Sequence, residues 1–136
     1  MSKAIPMIQK FMTTAPHSIG SDQTLAAADK AMRELGVRHL PVLAGGKLTG
    51  IISDRDIKFL QSFRDVDMTK TTIADGSVSE VFSVSPQSPL DEVCARMAEN
   101  KFGCAVVMDN GKLVGIFTWV DALRSMNEIL NSRFHK

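Results

Sequence analysis

The sequence repeats itself with a constant offset of 65 residues, as from Leu25 to Leu90, and this repeat limits the folds that the chain can adopt. From about Ser18 to Ile57 the first copy aligns with the second without a gap. The run Gly46-Lys47-Leu48 of the first copy recurs as Gly111-Lys112-Leu113 in the second. A copy of about 60 residues buries too little surface to be stable alone. We therefore expect two similar units that pack together around a pseudo-twofold axis.

Each copy has the pattern of a strand, a helix, two strands and a second helix. Apolar spacing predicts a helix over 22–35, which Gly36 ends. The matching helix is predicted over 89–100, with Ser88 as its cap, Pro89 in its first turn and Asp91 completing a capping pattern. The predicted strands are 17–19, 39–43 and 48–52, then 82–84, 104–108 and 113–117. The polar stretch from about 61 to 77 is predicted to connect the copies.

The composition argues against several classes of function. The formal net charge is +1, from 16 basic and 15 acidic residues, so the chain lacks the positive field of a nucleic-acid-binding protein. The sequence has no Gly-x-Ser-x-Gly, no phosphate-binding loop and no His-Glu-x-x-His, and we expect no enzyme. Cys94 and Cys104 have none of the usual zinc spacings and are expected to be reduced, buried thiols.

The N-terminal residues lack the apolar core of a signal peptide. No apolar run approaches the length of about 20 residues that a transmembrane helix needs. We therefore expect a cytoplasmic protein that does not associate with membranes.

Four stretches resemble the CBS (cystathionine β-synthase) domain family. They are 36–42, 45–48 and 50–56 in the first copy, and 115–121, which repeats the last of them, in the second. The pair Met12-Thr13 also resembles the start of many such repeats, and the resemblance covers about residues 8–127. It implies an α/β fold of the α+β type, with two βαββα repeats forming one Bateman-type module in a standalone two-repeat protein. The implied repeats are 8–62 and 77–131, with a connecting segment at 63–76.

The resemblance also implies a function. Modules of this kind commonly bind AMP, ADP, ATP or S-adenosylmethionine in up to two clefts between the repeats, need no cofactor or metal, and often form homodimers. Binding would then change the conformation of the module and of a separate effector protein. The alternative is a structural or dimerisation module without a physiological ligand.

The patterns Ser53-x-x-Asp56 and Thr118-x-x-Asp121 carry the candidate binding chemistry. Each follows a predicted strand and opens a helix, where free amides and the helix dipole favour a phosphate. By the resemblance, the two aspartates bind ribose and the two hydroxyl residues bind ribose or phosphate. The same pattern is also a helix capping box, and both interpretations can hold together.

The resemblance groups the remaining candidates into two clefts. One cleft joins Thr118 and Asp121 with Met12, His17, Arg38 and His39. The other joins Ser53 and Asp56 with Phe82, Gly103 and Cys104, and has Arg55 beside it. The guanidinium of Arg38 suits phosphate, so the first of these clefts is expected to be the stronger nucleotide site. The expected adenine-binding walls are Ile19, Leu40, Val84 and Ala105.

Two apolar stretches are left over by this assignment. One is Met7, Phe11 and Met12; the other is Leu123, Met126, Ile129 and Leu130 on the last predicted helix. Either stretch can form a dimer interface or pack within its own unit, and the sequence alone leaves both open.

Overall fold

The computed structural model describes residues 4–76 and 80–134. Its strands are β1 (Thr13–Thr14), β2 (Ile19–Gly20), β3 (His39–Ala44), β4 (Lys47–Ser53), β5 (Ser83–Val84), β6 (Cys104–Asp109) and β7 (Lys112–Thr118). Its helices are α1 (Leu25–Leu35), α2 (Asp54–Gln61), α3 (Leu90–Asn100) and α4 (Trp119–Phe134). The order β2-α1-β3-β4-α2 recurs as β5-α3-β6-β7-α4, so the predicted mixed α/β fold and the βαββα order are confirmed.

The chain divides into two compact units. The first unit, His17–Val81, contains a three-stranded sheet of order β2-β3-β4, in which β2 is parallel and β4 antiparallel to β3. The turn between β3 and β4 contains Gly45 and Gly46 at positive φ, a conformation that glycine adopts without steric cost. Apolar residues from both helices, both long strands and the segment that follows α2 form its core: Leu25, Ala28, Met32, Leu40, Val42, Ile52, Ile57 and Ile73.

The second unit combines Met1–Pro16 with Phe82–Lys136. Its sheet has the order β1-β7-β6-β5, so the N-terminal strand β1 pairs antiparallel with β7 at the sheet edge. The core of this unit is Ile8, Phe82, Leu90, Val93, Met97, Ala105, Val107 and Phe117.

The residues that precede one repeat along the chain provide an acceptor to the first helix of the other repeat. The two contacts are related by the 65-residue offset. In the first unit the amide of Leu25 donates to the carbonyl of Thr71 at 2.9 Å. In the second unit the amide of Leu90 donates to the carbonyl of Pro6, also at 2.9 Å. Both bonds satisfy an amide in the first turn of a helix, where no intrahelical acceptor exists.

The same two segments supply core residues. Ile73, from the stretch predicted as a polar connection, is fully buried in the first unit. Ile8, from the N-terminal segment, is fully buried in the second. Ile8 and Ile73 are 65 residues apart, so the structural repeat begins earlier in the chain than the ungapped match from Ser18 indicates. The sequence match does not show this, because a single isoleucine in a polar stretch is a weak signal.

The helix ends agree only in part with the sequence analysis. As predicted, Gly36 ends α1 with φ of 68°, and its amide donates to the carbonyl of Met32. Lys101 ends α3 in the same left-handed conformation, with φ of 58°. At the other end, α1 begins at Leu25 rather than at 22, because Thr24 caps it with its side chain.

The predicted cap of α3 was wrong. The N-cap position of α3 is Pro89, and no side chain makes a capping hydrogen bond there. The hydroxyl of Ser88 instead accepts from the amide of Ser85, one turn earlier in the loop. Asp91 lies in the first turn of α3, where its charge favours the helix dipole without completing a capping box.

The helices of the described residues are all too short or too polar to cross a membrane. Cys94 and Cys104 are free cysteines, as predicted; Cys104 is buried, whereas Cys94 is only partly buried.

Candidate ligand-binding turns

The turn from β7 into α4, residues Thr118–Asp121, is called the second turn. Its carboxylate has donors on both oxygens: Oδ2 of Asp121 accepts from the amide of Thr118 at 2.9 Å and from its hydroxyl at 3.2 Å. Oδ1 accepts from the hydroxyl of Thr13 at 3.2 Å, and Nη1 of Arg124 lies 3.7 Å away. Asp121 is only 5% exposed, and these contacts offset the cost of burying its charge.

The N-terminal segment reaches Asp121 through the pairing of β1 with β7. Thr13 lies opposite Ile116, and the next residue of β1 lies opposite Gly115. A Cβ atom on Gly115 would lie 2.5 Å from the sulfur of Met12 and 3.1 Å from the carbonyl oxygen of Thr13. Gly115 therefore makes room for the close approach that brings the Thr13 hydroxyl to Asp121. Met12, a predicted site residue, is on this same segment.

The residue opposite the second turn is apolar in character. Cys104 at the start of β6 pairs with Thr118. Burial raises the pKa of its thiol to about 12, so the thiol stays neutral and cannot compensate a phosphate. Its role is that of a small core residue.

An aromatic group lies beside the second turn. The rings of Phe82 and Phe102 are stacked with centroids 5.1 Å apart, and the guanidinium of Arg96 is 5.0 Å from the Phe82 centroid. The indole Nε1 of Trp119 donates to the carbonyl of Phe102 at 2.9 Å. This bond fixes the indole while leaving Trp119 61% exposed.

The turn from β4 into α2, residues Ser53–Asp56, is called the first turn. It is a complete capping box, since the amide of Asp56 donates to the Ser53 hydroxyl and the amide of Ser53 donates to Oδ2 of Asp56, both at 3.1 Å. Asp54 forms an ion pair with Lys58 at 3.1 Å, one turn along α2. The capping interpretation is therefore correct here, and it leaves a role in ligand binding open.

Arg38 and His39 lie beside the first turn. His39 pairs with Ser53 across the two strands, and the amide of Asp54 donates to the carbonyl of Arg38 at 2.8 Å. Burial lowers the pKa of His39 below its ordinary value of 6.5; Asp56 opposes this shift, Arg38 adds to it and Asp54 opposes it. The first turn therefore has a titratable group where the second has a neutral thiol.

The other predicted site residues have varied surroundings. His17 is exposed at the start of the first unit, Arg55 is exposed in the first turn of α2, and Phe82 is 8% exposed. The predicted clefts combine residues from different units, such as Arg38 with Asp121, and these pairings remain predictions. Of the expected adenine walls, Leu40 and Ala105 belong to the unit cores, whereas Ile19 and Val84 are partly buried.

The role of Thr13 was not predicted from the sequence. The pair Met12-Thr13 was identified as a family feature, but the hydroxyl was not assigned a partner, because its acceptor is 108 residues away. Trp119, the single tryptophan of the chain, was part of the family stretch 115–121 but was given no role of its own.

Within 4–76 and 80–134, no cluster of three or more His, Cys, Asp or Glu side chains has the arrangement of a metal site.

A family model described as CBS domain matches the chain twice, at residues 8–61 and 64–128. The CBS domain-containing protein YhcV of Bacillus subtilis is 27% identical over 124 residues, which are 91% of this chain and 86% of YhcV. An inosine-5'-monophosphate dehydrogenase of Korarchaeum cryptofilum is 30% identical over 125 residues. That match covers 89% of this chain but only 24% of the dehydrogenase.

Solved structures show the same fold. A Vibrio cholerae protein named for acetoin utilization, AcuB, superposes with a TM-score of 0.83 at 30% identity, covering 98% of this chain and 99% of AcuB. The CBS domain pair of protein MJ0100, in complex with 5'-methylthioadenosine and S-adenosylmethionine, superposes with a TM-score of 0.82 at 25% identity. That match covers 93% of this chain and 99% of the MJ0100 pair. With both repeats matched by the family model, the chain belongs to the CBS domain family.

Proposed function

We propose that the chain is a non-catalytic regulatory module that binds an adenosyl ligand in clefts between its repeats and transmits a conformational change to a partner protein. The ligand class is AMP, ADP, ATP or S-adenosylmethionine. The repeats are taken as 8–62 and 77–131, joined by the segment 63–76. The module needs no cofactor, acts in the cytoplasm and works as a homodimer.

The observation that carries this proposal is the recurrence of a paired hydroxyl and carboxylate at the first and second turns. In both turns the aspartate accepts from the backbone amide of the hydroxyl residue three positions earlier. A carboxylate has about four acceptor positions and can bind the two adjacent hydroxyls of a ribose. The relationship to the MJ0100 domain pair, which binds two adenosyl compounds, supports this class of ligand.

The proposed roles divide the site residues by chemistry. Asp121 and Asp56 bind ribose hydroxyls, and Thr118 and Ser53 bind ribose or phosphate. The cationic and imidazole side chains of Arg38, His39 and Arg55 bind phosphate, for which a guanidinium fork is well suited. Met12, His17 and Phe82 line the clefts.

A second candidate function, a dimerisation module without a ligand, is favoured by the outer face of α4. Trp119, Leu123 and Met126 recur there at helical spacing and are 61%, 65% and 57% exposed. An apolar face of this kind is typical of a protein interface. Homodimerisation is common to both candidates, so only a ligand distinguishes them.

Thermal unfolding against AMP, ADP, ATP, S-adenosylmethionine, NAD and GTP separates these two functions. A ligand at about 100 times its dissociation constant adds about 2.7 kcal/mol, a shift of several degrees for a domain of this size. We expect an adenosyl compound to raise the melting temperature and Asp121→Ala to abolish the rise. If only Asp56→Ala abolishes it, the site is at the first turn. If no compound shifts the wild type at millimolar concentration, the ligand-free module is the better account.

A further inference from the structure

The geometry at the second turn points to Thr13 as a competitor of the ligand: we propose that its hydroxyl occupies the acceptor on Asp121 that a ligand diol requires, and so weakens adenosyl binding there. This inference rests on the proposed function, because it concerns the same carboxylate. It adds a residue that sets affinity and that lies outside the Thr118–Asp121 pattern.

The number of acceptor positions on the Asp121 carboxylate limits how many donors it can bind at once. Three hydrogen-bond donors already point at Asp121: the amide and hydroxyl of Thr118 and the hydroxyl of Thr13. A carboxylate offers about four acceptor positions, and a ribose diol brings two more donors. The total would exceed the positions available, so one of the present donors must leave when a diol binds.

Thr13 is the donor that can leave most readily. The amide of Thr118 is fixed by the backbone, and the Thr118 hydroxyl is also an acceptor for the amide of Asp121 at 3.4 Å. The Thr13 hydroxyl is on an exposed residue of a two-residue strand and reaches both carboxylate oxygens, at 3.2 and 3.4 Å. Rotation of its side chain opens Oδ1 without breaking the turn.

Burial makes this competition effective. Asp121 is 5% exposed, so water competes little for its free acceptor positions. A hydrogen bond to a charged group is stronger than one between neutral groups. A variant without the Thr13 hydroxyl has no such bond to break when the ligand binds, so its binding free energy should be more favourable. Arg124 adds only a screened contact at 3.7 Å, since its side chain is 72% exposed.

The equivalent position of the second repeat provides the substitution for the test. With the 65-residue offset, Val78 is the counterpart of Thr13, and valine has nearly the same shape without a hydroxyl. Thr13→Val keeps the β-branched side chain that suits a strand. Thr13→Ser keeps the hydroxyl and serves as the conservative variant. Thr14→Val is the matched control, because the neighbouring residue of β1 is also exposed.

The experiment is a calorimetric titration of each variant with AMP and with 2'-deoxy-AMP. We expect Thr13→Val to bind AMP about fivefold more tightly or better, because the competing bond to a charged group is gone. Thr13→Ser and Thr14→Val should bind AMP like the wild type. The gain should be smaller for 2'-deoxy-AMP, which presents one hydroxyl fewer to Asp121. If AMP gives no heat of binding, S-adenosylmethionine is titrated in its place. Adenosine and 2'-deoxyadenosine then serve as the pair of ligands that differ only in the 2'-hydroxyl.

The outcomes separate this inference from the proposed function. If the wild type binds in a manner that Asp121→Ala abolishes, but Thr13→Val binds equally or more weakly, Thr13 orients the carboxylate instead and the inference is overturned alone. An equal gain for AMP and 2'-deoxy-AMP also overturns it, since the gain would not come from the diol. If no adenosyl compound binds any variant, the proposed function fails and the inference fails with it.

Discussion

At the scale of single residues, the two repeats place different chemistry at one equivalent position. His39 and Cys104 are related by the repeat offset, and each lies opposite the hydroxyl residue of its turn. Burial acts on both, lowering the pKa of the imidazole and raising that of the thiol. In both cases burial favours the neutral form, but the ordinary pKa of 6.5 lies near neutral pH only for the imidazole. Of these two equivalent groups, His39 is therefore the one that should make stability depend on pH in mildly acidic solution.

This asymmetry predicts how stability changes with pH. Because the pKa of His39 is lower in the folded state than its ordinary 6.5, the unfolded state binds protons more strongly in mildly acidic solution. Stability from this group is fully present above about pH 6.5 and is lost as the pH falls through that value toward the folded pKa. Urea unfolding at pH 7.5 and 5.5 should show a smaller acid loss in His39→Gln than in the wild type. The exposed His17→Gln is the matched control, and an equal acid loss in all three proteins would contradict this account.

At the scale of elements, equivalent helix ends are built from residues with different backbone preferences. Gly36 and Lys101 both end their helices in the left-handed conformation, with φ of 68° and 58°. Glycine adopts it without steric cost, whereas a side chain raises its energy. The end of α3 therefore contains strain that the end of α1 lacks.

Substitutions at these two helix ends should change the free energy of unfolding in opposite directions. Lys101→Gly should raise the free energy of unfolding by about 0.5–1 kcal/mol, because it relieves the left-handed strain. Gly36→Ala should lower it by about 1 kcal/mol for the converse reason, since no atom lies within 4 Å of the added Cβ to complicate the result. Denaturant unfolding of both variants measures this. A destabilising effect of Lys101→Gly would contradict the account.

The segments that precede the repeats yield a second prediction at this scale. Ile8 and Ile73 are fully buried in the second and first cores, respectively. Truncating either to alanine should cost about 2–5 kcal/mol of unfolding free energy. Ile5→Ala, at a residue 53% exposed, should change it by less than about 0.5 kcal/mol. If Ile73→Ala resembles Ile5→Ala in chemical denaturation, the segment 63–76 only connects the repeats and adds nothing to the core.

The elements also show which features could be predicted from the sequence. Helices and strands followed from apolar spacing and from Gly36, because these signals are local. The α3 cap was wrong because Pro89 shifts the start of the helix past Ser88, whose hydroxyl then serves the preceding loop. The role of the connecting segment was missed because it depends on Ile73 meeting residues about 50 positions away, such as Leu25.

The residues of the candidate site likewise divide into those that the sequence predicts and those that it does not. The carboxylates of Asp56 and Asp121 were found because each lies three residues from its hydroxyl partner, a spacing visible in the sequence. The hydroxyl of Thr13 was not assigned, since its bond to Asp121 depends on the pairing of β1 with β7. Long-range partners of this kind leave no local pattern.

At the scale of the whole molecule, the outer face of α4 is a row of exposed apolar side chains. Its apolar residues are Trp119, Leu123, Met126, Leu130 and Phe134, which are between 46% and 73% exposed. Of the predicted stripe, only Ile129 packs against the core of the second unit. We expect this face to be the homodimer interface, since a symmetric pair of such faces would bury most of these side chains.

A charge on that face should dissociate the dimer. Met126→Glu places a carboxylate among apolar side chains, so its desolvation on dimerisation would be unfavourable. Light scattering after size exclusion should give a dimer for the wild type and a monomer for Met126→Glu. Asn131→Glu adds the same charge elsewhere on α4 and should remain a dimer. A wild-type monomer, or a dimer unaffected by Met126→Glu, would contradict this assignment.

The measurement that tests the central claim most directly is a calorimetric titration of an adenosyl ligand into the wild type and into the double variant Asp56→Asn/Asp121→Asn. The ligand is whichever adenosyl compound raises the melting temperature most, or S-adenosylmethionine if none does. The account predicts saturable binding by the wild type and loss of binding in the double variant, with both proteins folded by circular dichroism. Binding that survives the loss of both carboxylates would contradict it, because the turns would then not be the binding sites. Absence of binding by the wild type would contradict the proposed function itself.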